Sequence, residues 1–362
     1  MKLIIEPGDG VERLIKGIRK AKKRVEIMIF RFDRPEIERA LIDAVERGIT
    51  VHALIAFTNR GGEANLRKLE MRFLASGITV ARTAGDLVRY HGKMMIADRD
   101  ELYLLSFNFT RLDIDRSRGF GLITRNPKLV AEAAKLFEAD TKRQDYTAGN
   151  AKFLVSPVNA RKELTRFIKG AKKELLIYDP KISDRAMLRL LEDREEAGVK
   201  IRIIGHVNSK RWPTCELKRM QLHTRTIIRD RTDAFIGSQS LRQLELDARR
   251  EIGIIFGDGA VLKDVVRTFE EDWAASSAGE LQEKSRRRAP AKKAVKKVAK
   301  LVSKKISLPL TKKMTRAIVK SANGNFHGRK MQERMKDAVR DVVEETARDA
   351  AKEAVKAAGE VA

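Results

Sequence analysis

His91-Gly92-Lys93-Met94-Met95-Ile96-Ala97-Asp98 is the stretch from which the rest of the chain can be read. It has the form His-x-Lys, four residues, then Asp, and Ser106-Phe107-Asn108 follows at a fixed distance. A second copy, with changes, runs His223-Thr224-Arg225-Thr226-Ile227-Ile228-Arg229-Asp230 and continues into Gly237-Ser238-Gln239-Ser240. Asp98 to Ser106 and Asp230 to Ser238 are both eight residues. One such match is weak evidence, but two with the same internal offsets point to a duplicated site.

Working outward, the duplication extends to the scaffold. Ala21-Lys22-Lys23 matches Ala171-Lys172-Lys173 and Gly48 matches Gly198, both at an offset of 150. The two His motifs are offset by 132, so the second half is shorter by 18 residues in the region between. Val11, Leu14, Ile15 and Ile18 fall on one face of a helix that leads into an apolar strand, Val25 to Phe30. Pro35 to Arg47 repeats the helical spacing with Ile37, Leu41, Ile42 and Val45, and Gly48 ends it. Thr50 to Ile55 reads as the next strand, so the order implies a parallel βαβ unit. Met94 to Ala97 and Thr226 to Ile228 read as short strands followed by charged turns. On a strand, residues two apart share a face, which sends His91 with Lys93, and His223 with Arg225, into one pocket. The expected fold is α/β, with two pseudo-symmetric α/β/α repeats over 1–150 and 151–278. Their mixed, largely parallel sheets pack together, and a basic segment, 279–362, follows.

Composition narrows the class. The 362 residues are 43% hydrophobic, enough for a sizeable core. One cysteine, Cys215, excludes an internal disulfide or a Cys-based metal cluster. The first residues lack the apolar stretch of a secretory signal, and no apolar run approaches the roughly 20 residues of a membrane span. A cytoplasmic location is expected, peripheral to a membrane or the nucleoid through the basic segment. The net charge of +26 calls for an anionic partner. From Lys284 to Lys330 there are seventeen basic residues and no acidic one, which places most of the excess in the tail. That tail reads as disordered, or ordered only on an anion. Lys330 to Glu360 reads as an Ala-rich helix with a modest apolar stripe.

The paired His-x-Lys-x4-Asp elements in a duplicated α/β chain resemble the phospholipase D superfamily over roughly Met1 to Ser276. The resemblance implies one active site between the repeats, one His attacking phosphorus and the other protonating the leaving alkoxide, with no metal and no cofactor. The residue chemistry agrees with this. A phosphodiester is anionic, and Lys93 and Arg225 supply positive charge. Asn108 adds a neutral donor, with Ser106, Ser238 and Ser240 as supporting hydroxyls. Imidazole can act as nucleophile when neutral and as acid when protonated. Asp98 and Asp230 fall off the His/Lys face and read as structural. Twenty-eight residues after His223 stands Glu251, where family members carry a His-orienting acid, whereas the same distance from His91 gives Gly119. The expectation is therefore that Glu251 serves His223, making it the acid, and that His91 is the nucleophile.

The second half departs from the family pattern at Arg225 for Lys and at Ser240 for Asn, and the first has Leu105 before Ser106 and no acid at Gly119. Three functions stay open: a phospholipid phosphodiesterase or phosphatidyltransferase, the favoured reading; a nucleic-acid phosphodiesterase; and a non-catalytic anion-binding protein with a decayed second motif. The lack of a membrane span counts against a membrane-embedded cardiolipin synthase. The intact Asp98 and Asp230 count against the branch that repairs protein–DNA adducts. His52 and His206, outside the motif frame, read as packing or surface residues, as do Trp212 and Trp273. His327, in the basic segment, reads as exposed.

Overall fold

The computed structural model describes residues 1–57, 62–207, 209 and 211–286, with backbone alone for 277–286. The expected disordered tail and terminal helix, and His327, lie outside the described residues apart from the start of that segment. The stretch Met1–Gly279 forms one compact unit containing both repeats. Its 53 basic and 40 acidic residues net the same +13 as the 23 and 10 in 280–362, so the folded unit carries half of the positive excess, not a minor part.

The βαβ reading holds in detail. Helix Glu12–Lys20 leads to strand Arg24–Ile29, helix Pro35–Glu46 follows, and strand Thr50–Ile55 pairs in parallel with Val25 opposite Val51. The copy does the same, with Glu174–Ile182 parallel to Lys200–Val207 and Leu175 opposite Ile201. On the other side of each central strand the sheet turns antiparallel. Arg24–Ile29 pairs with Met94–Ala97, then come Glu101–Leu105, Ser117–Thr124 and Lys2–Glu6. In the second sheet the order from Glu174–Ile182 is Arg225–Arg229, Asp233–Gly237, Ile252–Phe256 and Phe153–Val155. Both sheets are thus mixed, with parallel pairing confined largely to the βαβ side.

The 18-residue shortening has a location. The first repeat places helix Glu63–Ala75 and strand Thr79–Arg82 between Thr50–Ile55 and Arg89–Tyr90, while the second has only Thr214–Cys215 between Lys200–Val207 and Gln221–Leu222 among the described elements. Alternation along the strands divides the core. Met94, Ile96, Leu102, Leu104 and Phe120 share one buried cluster with Leu176, Tyr178, Ile228, Ile236 and Ile254, so the inner faces of the two sheets make a common core. The outward Met95 and Tyr103 pack with Leu14, Ile18, Ile37 and Leu41 of the first repeat's helices.

Asp98 and Asp230 are the brackets of this scaffold. Asp98 accepts hydrogen bonds from the backbone N–H groups of Lys22, Lys23 and Arg24 at 2.7–2.9 Å. Asp230 does the same for Lys172, Lys173 and Glu174. Each motif carboxylate therefore fixes the entry to its repeat's central strand, at a hairpin whose Asp and following Arg have positive φ. These bonds to the charged form hold both carboxyls below their ordinary pKa, although partial burial alone would raise them.

Candidate active site

The motif histidines precede their strands, and the opposite repeat holds each in place. Arg89–Tyr90 pairs in parallel with Arg249–Arg250, and the His91 N–H donates to the Arg250 carbonyl at 2.7 Å. Gln221–Leu222 pairs with Ser117 and Arg118, and the N–H groups of His223 and Thr224 donate to the Arg118 carbonyl. Arg118 and Arg250 are 132 residues apart, as are the histidines they hold. Both arginine side chains are buried, Arg118 on Asp272 and Arg250 on Asp140, again 132 apart. A short swap of backbone between repeats therefore fixes both imidazoles, and it carries no hydrophobic pattern that sequence reading could detect.

His91 is 7% exposed. Its Nδ1 lies 2.8 Å from Glu251 Oε2, across the repeat interface. This overturns the pairing of Glu251 with His223: the acid counted from one histidine serves the other, because the strands cross between repeats before the side chains meet. Phe30 stands edge-on to the His91 ring at 4.5 Å and faces the Lys93 ammonium at 5.4 Å. A Cβ on Gly92 would come within 2.5 Å of Met28 Sδ, so a larger residue between His91 and Lys93 would require the Met28 side chain to shift.

His223 is held differently. Its Nδ1 donates to the Ser106 carbonyl at 2.8 Å. Its Nε2 lies 3.3 Å from Asp113 Oδ2 and 3.5 Å from Asn108 Nδ2. The position that would supply a carboxylate, Gly119, is closed: a Cβ there would meet Phe107 at 2.8 Å. Asp113 was not among the residues expected at the site. The signal was available, since Asp113 and Glu245 put carboxylates at the same place in each repeat, 132 residues apart.

The cations converge. Lys93 is fully buried and donates to the His91 carbonyl at 2.7 Å; Arg225 donates to the His223 carbonyl and, through Nε, to Ser240 Oγ at 3.2 Å. Both charges bear on both histidines. Burial drives His91 well below its ordinary pKa, and Lys93 and Arg225 push it further. Burial likewise lowers His223, to about 4, with Asp113 opposing and Arg225 and Lys93 assisting. Lys93 is itself depressed by burial, against the pull of Glu251.

Two of the expected hydroxyl ligands have other duties. Ser106 Oγ accepts from the Phe120 N–H at 2.9 Å and Ser238 Oγ from the Ile252 N–H at 3.1 Å, and both serines are fully buried. They pin neighbouring strands where the sequence suggested phosphate contact. Asn108 spends its Nδ2 on Asp113 Oδ2 at 2.6 Å. His52 packs edge-on against Phe137, His206 is exposed, Trp212 is buried and Trp273 stacks on Phe269, so none of the four joins the site.

A family model described as "Cardiolipin synthase, PLD-like domain" matches residues 14–141 and 164–273, both repeats with their motifs. The chain belongs to the phospholipase D superfamily. Within it, the chain is 29% identical over 135 residues to a mitochondrial cardiolipin hydrolase of Danio rerio, covering 35% of this chain and 56% of that relative. Two solved structures share the fold. A polyphosphate kinase from Porphyromonas gingivalis has a TM-score of 0.63 at 20% identity, over 74% of this chain and 49% of its own. A phosphatidylserine synthase from Haemophilus influenzae has a TM-score of 0.57 at 11% identity, over 75% and 85%. The arrangement here is asymmetric, with an acid behind one histidine and a peptide carbonyl behind the other.

Proposed function

We propose that the protein is a metal-independent phosphodiesterase or phosphatidyltransferase that works through a phosphohistidine on His91, with a phospholipid as its favoured substrate. The observation that carries the assignment is the 2.8 Å bond between His91 Nδ1 and Glu251. A carboxylate there holds the proton on Nδ1 and leaves the Nε2 lone pair for attack, and the depressed pKa keeps the ring neutral at pH 7. The reading of His91 as nucleophile and His223 as acid is kept on this tautomer argument, and its earlier ground, a carboxylate partner suiting the acid, is given up because Glu251 lies against His91.

In the first step His91 Nε2 attacks phosphorus. The N–P bond forms, the bond to the leaving oxygen breaks, and its electron pair takes the proton from His223 Nε2. Water, or a second alcohol, then gives its proton back to His223 as its oxygen attacks phosphorus and the N–P electrons return to His91. Lys93 and Arg225 stabilise charge on the phosphoryl oxygens during both displacements. An empty site favours neutral His223. An anionic phosphate near Lys93 and Arg225 offsets their repulsion of the imidazolium and raises the pKa of His223 when the acid is needed.

The family description and the curated relative both name cardiolipin, which favours a lipid substrate. The +13 charge of the folded unit suits an anionic interface, and peripheral attachment would add about 1 kcal/mol per basic residue near an acidic surface. The same charge suits nucleic acid, where binding would fall steeply with salt. The deciding assay offers labelled phosphatidylcholine, phosphatidylglycerol, and single- and double-stranded DNA to the purified protein in EDTA, followed by mapping of the phosphoenzyme under alkaline conditions, in which a phosphohistidine survives. Lipid turnover with label on His91 is expected. Turnover of DNA alone would replace the substrate class, and label on His223 would reverse the roles.

A further inference from the structure

We infer that Asp113 is a positioning residue that holds the transferable proton on His223 Nε2, doing for the acid what Glu251 does for the nucleophile but from the opposite ring nitrogen. The inference rests on the proposed role of His223. Its geometry is independent of that role. His223 Nδ1 is committed to the Ser106 carbonyl, an acceptor only, so Nδ1 keeps its hydrogen in every protonation state. Any change in charge on this ring must occur at Nε2, and Nε2 faces Asp113 Oδ2 at 3.3 Å.

Asp113 is well anchored for that task. It lies in helix Arg111–Arg116, where the Thr110 side chain accepts from the Asp113 N–H. Its Oδ2 accepts from the Asn108 backbone N–H at 2.9 Å and from Asn108 Nδ2 at 2.6 Å. The carboxylate is 5% exposed. Among the described residues, the charged groups that weigh most on His223 are Asp113 from this helix, Arg225 and Lys93; of these Asp113 favours the imidazolium, assisted by the Ser106 carbonyl. Without Asp113 the ring would seldom carry the second proton, since burial and two cations both disfavour its charge.

The matching residue of the second repeat makes the contrast. Glu245 Oε2 accepts from the Ser240 N–H at 2.7 Å, as Asp113 does from Asn108, but its other oxygen lies 3.3 Å from both Arg242 and Arg249. That carboxylate is matched by guanidinium groups. Asp113 stands at the same fold position and faces a histidine instead. A brace common to both repeats has acquired, in one of them, a proton to hold.

Asp113→Asn separates the proton role from the brace, because the amide keeps the size and an acceptor oxygen while losing the charge. With phosphatidylglycerol vesicles, whose leaving group needs a proton, kcat is expected to fall about 10–100-fold, within the range of a general-acid contribution. With bis(p-nitrophenyl) phosphate, whose leaving group departs unprotonated, it is expected to change less than threefold. Removing negative charge lowers the imidazolium pKa, so the basic limb of the kcat–pH profile moves to lower pH, and Asp113→Glu restores part of it. Equal losses on both substrates with an unmoved pH profile would overturn the inference and leave Asp113 a structural brace. Should Asp113→Asn not fold, NMR titration of the intact protein saturated with inorganic phosphate decides. His223 remaining neutral down to pH 5 would sink the inference. Failure to form phosphohistidine on His91 in the unmodified protein would instead remove the reading on which it rests.

Discussion

His91 and His223 occupy equivalent places in two copies of one scaffold, yet their rings are controlled from different sides. His91 has a buried carboxylate on Nδ1, while His223 has a peptide carbonyl on Nδ1 and a carboxylate near Nε2. The backbone that delivers them is nearly identical, since each takes its N–H bond from an arginine carbonyl of the other repeat. The comparison shows that duplication preserved the delivery and divergence set the chemistry. In the proposed mechanism one ring gives electrons and the other a proton, and the difference lies in a glycine at 119 where the other repeat has Glu251, with Asp113 near the second ring instead.

The largest expected effect tests whether the Glu251 position is truly one-sided. Glu251→Gln should cut kcat by roughly 10²–10⁴-fold, because the amide no longer holds the His91 tautomer or stabilises charge on the ring. Gly119→Glu, which restores repeat symmetry on paper, should lower activity and stability, since Phe107 fills the space its Cβ requires. Recovery of a symmetric, active enzyme by Gly119→Glu would break the comparison.

Next come the two buried arginines whose carbonyls hold the histidines. Arg118 engages Asp272 through Nε at 2.7 Å and Nη2 at 2.9 Å, and the Tyr178 hydroxyl donates to the same carboxylate. Arg118→Met leaves that charge buried and unmatched and should cost about 3–5 kcal/mol in denaturant unfolding. Arg250→Met should cost less, because burial already raises its partner Asp140 to about 6. Equal losses would show that the asymmetry stops at the active site.

A third contrast lies at the first strand of each repeat, where Glu6 occupies the place of Ser156. Burial pushes the Glu6 carboxyl up to about 8, and one of its oxygens has no hydrogen-bond partner. The folded pKa lies above the unfolded value, so the stability it supports is present below about pH 4.5 and is lost as pH rises through 8. Glu6→Gln should therefore come close to the parent at pH 4.5 and exceed it by up to about 5 kcal/mol at pH 9, read from thermal melts across pH. A constant difference at all pH values would place the ionised carboxylate in a better environment than its burial implies.

The smallest effect should be the most symmetric. Asp98→Asn and Asp230→Asn each weaken bonds to three backbone N–H groups and should lower stability by about 1–2 kcal/mol, alike within error, with turnover per folded molecule retained. A selective loss of turnover in one of them would mean that a bracket also tunes its histidine.

Much of this was legible in the residues. The offsets of 150 and 132 located both repeats and both motifs, because strand and helix periodicities are local and survive duplication. The structural role of Asp98 and Asp230 followed from their placement off the His/Lys face. Ser106 and Ser238 were read as supporting hydroxyls; each Oγ also accepts a backbone N–H from a neighbouring strand, a use with no sequence signature. Asp113 went unread although its 132-residue offset to Glu245 was there to be read, because helix Arg111–Arg116 is too short to show a period that would draw the eye to it.

By itself, then, the sequence determined that two like halves carry one motif histidine each, with a cation two residues on. Which carboxylate meets which imidazole was decided by tertiary structure alone. Glu251 follows His223 in the chain and lies against His91 in space, because two-residue strands from each half pair with the other. Such pairing depends on backbone groups that every residue possesses, so no side-chain pattern records it.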